Sequence, residues 1–90
     1  MYQQRTILKQ CIDVLGSIYR GCSEPSQLKH GAKLSKESLD EVISILGENG
    51  FVLEVDMGDG ETLEYFLTEK GMNAVEMYST VTKFINKPNH

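Results

Sequence analysis

Between positions 5 and 20 apolar side chains return every three or four residues, with Leu8, Cys11, Ile12, Leu15 and Tyr19 tracing one line. That spacing is one face of a helix. A second line, Ile7, Val14 and Ile18, widens the stripe beyond what one packed face requires, so this helix is expected to meet two surfaces. Gly21 ends it. Ser23 is expected to cap a short helix over 24–31, with Pro25 in the first turn, where a missing N–H costs nothing, and Gly31 to close it. Ser35 then caps a helix over 35–48, in which Leu39, Val42, Ile43 and Leu46 repeat at helical spacing until Asn49 and Gly50 stop it.

From Phe51 the period changes to two: Phe51, Leu53 and Val55, then Leu63, Tyr65 and Leu67, alternate with acids and smaller groups. The glycines of "MGDGE" fit the turn of a β-hairpin spanning 51–67. Thr68 begins a last helix over 68–86. Its Ala74, Val75, Met77, Tyr78, Val81, Thr82, Phe84 and Ile85 cover about half the circumference. One small domain cannot hide so broad a face. No internal repeat or linker interrupts the chain, so one domain over 1–90 is expected.

Helix, helix, helix, hairpin, helix in this length is an α+β arrangement: the winged helix-turn-helix, with a three-helix unit, a two-stranded wing and a C-terminal helix. The text agrees. "LSKESLDEVISILGENGFV" followed by "YFLTEKG" resembles the small prokaryotic, archaeal-type winged helix-turn-helix transcriptional regulators, which share a helix–Gly–strand junction and a Y-x-L-T-x-x-G lead into the last helix, here Tyr65, Leu67, Thr68 and Gly71. The likeness covers almost the whole chain, but its motifs encode turns and packing rather than chemistry. It implies a homodimer on double-stranded DNA with the 35–48 helix in the major groove. The DNA-facing residues would be Lys29, Lys33, Ser35, Lys36, Glu37, Ser38 and Glu41. Dimerisation through the last helix and helix 1 would use Ile7, Val14, Ile18, Ala74, Met77, Tyr78, Val81, Phe84 and Ile85.

Charge complicates this. The formal net charge is −4, against indiscriminate coating of nucleic acid. Yet residues 1–36 hold six basic side chains against two acids, and residues 37–90 three against eleven. A basic front half with Lys29, Lys33 and Lys36 at the helix-turn-helix corner could meet phosphates, while Ser35 and Ser38 could bond one from the helix start and Glu37 could accept from a cytosine amino group. Glu37 and Asp40 also oppose the helix dipole, worth about 0.3–1 kcal/mol each, which alone explains them. Glu54, Asp56, Asp59, Glu61 and Glu64 would keep the wing away from a phosphate backbone. That wing suits a basic protein partner, so a docking module without DNA contact is the alternative.

Other chemistries find no support. No nucleophile is set beside a base, and an enzyme is not expected. His30 sits at a helix end, suited to the dipole. Asp56, Asp59 and Glu61 lack the twelve-residue calcium rhythm, so neither metal nor cofactor is expected. Cys11 reads as a buried hydrophobe, and Cys22, beside Arg20, as a turn residue whose thiol a neighbouring cation could activate. Met57, Met72 and Met77 with Tyr78 and Phe84 could line a ligand pocket at a dimer seam, but such residues read as ordinary packing. The start has no signal-peptide pattern and no apolar run approaches the roughly 20 residues of a membrane span, so a cytoplasmic protein is expected.

Overall fold

The computed structural model describes residues 6–58 and 62–85, with the side chains of Phe84 and Ile85 outside that description. Its order is α1 (Ile7–Tyr19), α2 (Pro25–Ala32), α3 (Lys36–Glu48), β1 (Val52–Asp56), β2 (Leu63–Leu67) and α4 (Glu69–Ile85). This is the winged helix-turn-helix architecture. The wing tip at 59–61, with Asp59 and Glu61, lies outside the described residues.

Local chemistry fixes each boundary. Thr6 accepts from the Lys9 N–H at the start of α1, and Gly21, at φ +111°, turns the chain out of it. The α2 cap is Glu24 rather than Ser23: the Gln27 carboxamide accepts from the N–H groups of both Ser23 and Glu24, leaving the Ser23 hydroxyl to donate to the Glu64 carboxylate on the wing. Gly31 does not close α2 but lies inside it, because there the helix passes α1 closely. A methyl at Gly31 would stand 3.2 Å from Ser17 Oγ. The turn falls instead on Lys33, the one non-glycine residue with positive φ among the described residues. Ser35 accepts from the Ser38 N–H to start α3.

The core is built from Cys11, Val14, Leu15 and Ile18 of α1, Leu28 and Ala32 of α2, Leu34 of the turn after it, Leu39, Val42 and Leu46 of α3, and Val52 and Tyr65 of the wing. Each buried branched aliphatic contributes about 1.5–3 kcal/mol. Two expectations fail here. Val14, fully inaccessible, and Ile18 are part of this chain's own core, so neither offers surface to a partner. Conversely Leu8 and Tyr19, placed on the packed line by periodicity, are exposed. The core takes Cys11 and Leu15 from one apolar line and Val14 and Ile18 from the other, and periodicity does not show where each line leaves it.

The hairpin pairs Val52 with Leu67, Leu53 with Phe66, Glu54 with Tyr65 and Asp56 with Leu63. The phase of β1 is one residue off the expected one, while Leu63, Tyr65 and Leu67 of β2 keep theirs, with Tyr65 buried. Val52 is buried while Leu53 is exposed, because Phe51 stays outside the strand and its carbonyl accepts from the Thr68 N–H. Slipping by one residue flips every side chain to the other face. The wing is anchored to the helices where the Tyr65 N–H donates to the Ser23 carbonyl.

The lead into α4 is a locked corner. Thr68 Oγ1 donates to the Gly50 carbonyl at 2.6 Å and accepts from the Gly71 N–H at 3.0 Å, which serves as the cap. Lys70 Nζ donates to the Asn49 carbonyl and stands over the Phe51 ring, 4.6 Å from its centroid. A side chain at Gly71 would collide with the Phe51 carbonyl oxygen, so only glycine fits where α4 crosses the α3–β1 junction.

Candidate nucleic-acid interface

The surface that a helix-turn-helix presents to a duplex consists here of the end of α2, the turn at Lys33–Ser35 and the outward side of α3. Leu39, Val42 and Leu46 point inward. At about 100° per residue the opposite ridge carries Glu37, Glu41, Ser44 and Glu48, all exposed. That ridge holds no cation. Ser44 Oγ donates to Glu48 Oε2 at 3.4 Å, and the Glu41 charge is felt as far as buried Cys11, whose thiol is pushed up first by burial and then by that carboxylate.

Positive charge lies to one side. Lys36 is on the flank of α3, where its ammonium is 3.2 Å from the Asp40 carboxylate. Lys29 and Lys33 stand at the end of α2, and with Ser26, His30 and Leu34 they line a shallow hollow. Both lysines are exposed. Of the seven residues proposed from sequence for DNA, six are exposed and Ser38 is half-buried; the Ser35 hydroxyl is already engaged as the α3 cap. The fold therefore brings Lys29 and Lys33 to one hollow, with Lys36 apart on the α3 flank, beside an acidic ridge rather than within a basic one.

A second feature lies between α1 and α4. An open groove of about 1030 Å³ is lined by Ile12, Leu15, Gly16 and Tyr19 on one side and Ala74, Met77, Tyr78 and Val81 on the other, with the end of α2 closing it. Met77, Tyr78 and Val81 are exposed, and Ala74 is half-buried. Ile7 is exposed at the start of α1 but outside the groove. Leu8 and Tyr19 are exposed apolar residues that sequence reasoning had assigned to the core; a helix stripe wider than one face was the only signal for them. Met57, Met72 and Met77 are exposed too, not packed. Cys22, in contrast, packs against the core. Among the described residues no His/Cys/Asp/Glu group could hold a metal ion, and no helix is long and apolar enough to cross a membrane.

A winged helix-turn-helix family model matches residues 4–86, and the chain belongs to that family. Several solved structures share the fold. The PcaV transcriptional regulator from Streptomyces coelicolor superposes with a TM-score of 0.78 at 21% identity, over 87% of this chain and 59% of that one. S. aureus MepR in complex with DNA gives 0.73 at 14% identity, over 87% and 66%. Bordetella bronchiseptica BpsR, whose DNA binding is regulated by 6-hydroxynicotinic acid, gives 0.73 at 19%, over 90% and 66%. The chain thus spans about three-fifths to two-thirds of the length of these structures. No curated protein matches the sequence at a significant level.

Proposed function

We propose that the protein is a non-enzymatic, sequence-specific DNA-binding transcriptional regulator that acts as a homodimer, with α3 directed at the major groove. The observation that carries this reading is the exposed pair Lys29 and Lys33 at the hollow that ends α2, just before the capped start of α3, where Lys36 stands on the flank. Family membership and likeness to transcriptional regulators, one of them solved on DNA, support it. In this arrangement the lysines meet phosphates, and the start of α3 approaches the bases. Glu37 and Glu41 can only accept hydrogen bonds at the base edges, which favours cytosine amino groups there. Their charge repels a non-cognate backbone, so affinity depends more than usual on the right sequence.

The homodimer is supported by the α1–α4 groove. The second copy's α4 would fill it, covering Ala74, Met77, Tyr78 and Val81 together with Ile7. The side chains of Phe84 and Ile85, assigned to this seam from sequence, lie outside the described residues. Two corners related by that axis would then lie about one DNA turn, roughly 34 Å, apart.

The test is selection of bound fragments from genomic DNA by purified protein, repeated with Lys33→Ala/Lys36→Ala and accompanied by light scattering. Retention lost in the variant at unchanged mass supports the corner; retention unchanged moves the interface elsewhere. With about three phosphate contacts per subunit, log affinity should fall against log salt with a slope near −5, at about −0.9 per contact. A second reading, a docking module that touches no DNA, is favoured by the acidic α3 ridge and wing. A stoichiometric protein partner with no retardation of DNA at low salt would put it first.

A further inference from the structure

One ridge of α2 is wholly polar. Ser26, Lys29, His30 and, just past the helix end, Lys33 follow one another at i, i+3, i+4 and i+7, while Leu28 and Ala32 turn into the core. All four polar residues are exposed, and with Leu34 they line the hollow at the end of α2. Lys29 and Lys33 are the phosphate contacts proposed above. Ser26 and His30 bring a hydroxyl and an imidazole to the same place.

A helix C-terminus ordinarily repels an anion through its open carbonyls. Here the Leu34 N–H donates to the Lys29 carbonyl at 3.0 Å and the Lys33 N–H to the His30 carbonyl at 3.3 Å. Two of the carbonyls that would oppose an anion are thus engaged, and the side chains facing the hollow offer two ammonium groups, a hydroxyl and an imidazole. Helices α1 and α3 and strand β2 pack on α2, and among the described residues none of their charged side chains lines the hollow. Lys9, Asp13 and Arg20 of α1 line the separate α1–α4 groove. On α3 Lys36 pairs with Asp40, and Glu37, Glu41 and Glu48 follow the outer ridge; Glu64 of β2 meets Ser23 at the far end of α2.

We propose that Ser26, Lys29, His30 and Lys33 form a seat for one phosphate of a DNA backbone, and that proton uptake by His30 tightens it. Histidine is the side chain whose charge changes between about pH 5 and about pH 8. The added proton takes the hollow from two positive charges to three and turns the second ring nitrogen into a donor. DNA affinity accordingly rises as pH falls, and by reciprocal linkage bound DNA draws a proton onto His30. The identity of the anion rests on the DNA-binding reading, whereas the seat as a binder of oxyanions does not.

Fluorescence anisotropy on a retained genomic fragment, at about pH 6 and about pH 8, tests this, with circular dichroism to verify the fold of each variant. Wild-type affinity should be about tenfold higher at the lower pH, with one charged contact added in each copy of the homodimer, and the salt slope should be steeper there by about 0.9 per copy. His30→Gln should bind at both values as wild type does at the higher pH. His30→Lys, charged throughout, should bind at both as wild type does at the lower pH. The chain's other histidine, His90, is kept in both variants. Ser26→Ala should lower affinity about threefold at either pH. Nuclear magnetic resonance of the free protein with sulfate, a dianion at both pH values, reads the seat without DNA: the His30 ring resonance should shift with added sulfate, and more at the lower pH. Parallel pH profiles for wild type and His30→Gln, or His30→Lys binding no tighter than wild type at the higher pH, would overturn the role of His30 even where DNA is retained. If no DNA is retained at any pH, the DNA reading falls; a sulfate shift of His30 then keeps the seat, and the absence of a shift removes it as well.

Discussion

On α3 the Lys36 ammonium rests 3.2 Å from the Asp40 carboxylate one turn further along, with 77% and 65% of the two side chains open to solvent. The pair sits at the edge of the surface proposed to meet DNA and holds the helix's one lysine to itself. Exposed pairs of this spacing stabilise a helix by only about 0.3–0.5 kcal/mol, because water and salt screen them. Asp40→Asn should therefore barely move the unfolding midpoint while releasing Lys36 toward phosphate and removing a repelling charge. Affinity for a retained DNA fragment should rise about three- to tenfold, since one regained charge contact is worth on the order of 1 kcal/mol. Fluorescence anisotropy checks this; weaker binding by Asp40→Asn would show that Asp40 itself faces the bases.

Lys33 occupies the left-handed region at φ 57°, ψ 52°, as the residue that ends α2. A side chain there costs about 1–2 kcal/mol relative to ordinary backbone, a cost glycine escapes. Lys33→Gly should gain up to about 1 kcal/mol in denaturant unfolding, part of the relief being offset by glycine's freedom in the unfolded chain. The same change should weaken DNA binding and flatten the salt slope by about 0.9 per copy. Lys33→Ala should show the loss of binding without the gain in stability. Rising stability with falling affinity is the signature of a residue kept for its charge against its backbone preference; a Lys33→Gly protein that melts earlier than wild type contradicts it.

What the sequence reveals and what it hides divide along local and long-range physics. The corner "YFLTEKG" was readable because the Thr68 cap and Gly71, three residues apart, act within one short segment. So was α3, whose Ser35 cap and inward Leu39, Val42 and Leu46 lie on one short helix. The strand phase was not, since whether Val52 or Leu53 turns inward depends on where Thr68 catches the Phe51 carbonyl, seventeen residues away in sequence. Nor was the fate of α1: Val14 and Ile18 are covered by elements that periodicity within α1 cannot see, leaving Leu8 and Tyr19 outside. For the proposed site, the charge bias of residues 1–36 points to Lys29, Lys33 and Lys36, all exposed. Its asymmetry, with Lys36 on a flank and acids on the ridge, emerged only once the core fixed the rotation of α3.

Two helical glycines make opposite demands. At Gly71 a new Cβ would lie on the Phe51 carbonyl oxygen and 3.2 Å from Leu67 Cδ2, with backbone rather than a flexible side chain in the way. Gly71→Ala should destabilise by about 1–3 kcal/mol or more, as overpacking does, and loosen the seating of α4 on the wing base. At Gly47, inside α3, a Cβ meets nothing within 4 Å, so Gly47→Ala should stabilise by about 0.5–1 kcal/mol through helix propensity. Paired thermal melts distinguish them. Equal and small effects at both positions would remove the close crossing from the account of why the motif ends in glycine.

Alkaline pH should weaken the fold through two buried acids. Burial, and then the Glu41 carboxylate, push the Cys11 thiol above its usual 9.0. Burial first, then the charge of Glu54 and its hydrogen bond with the phenol, then Asp40, push Tyr65 above 10.0. Both groups hold their protons more tightly folded than unfolded. Their contribution is therefore whole below the ordinary thiol value and is lost as pH rises through the raised values. Denaturant midpoints should stay level to about pH 8 and fall from about pH 9 upward, where thiols and then phenols begin to ionise in the unfolded chain. Cys11→Ala, measured under reducing conditions, should start lower at every pH from lost packing, yet decline less steeply between about pH 8 and about pH 10, because the earlier of the two titrations is gone. Parallel curves for wild type and Cys11→Ala would show that the thiol's proton carries none of the alkaline loss and would shift it to Tyr65, for which Tyr65→Phe is the matching measurement.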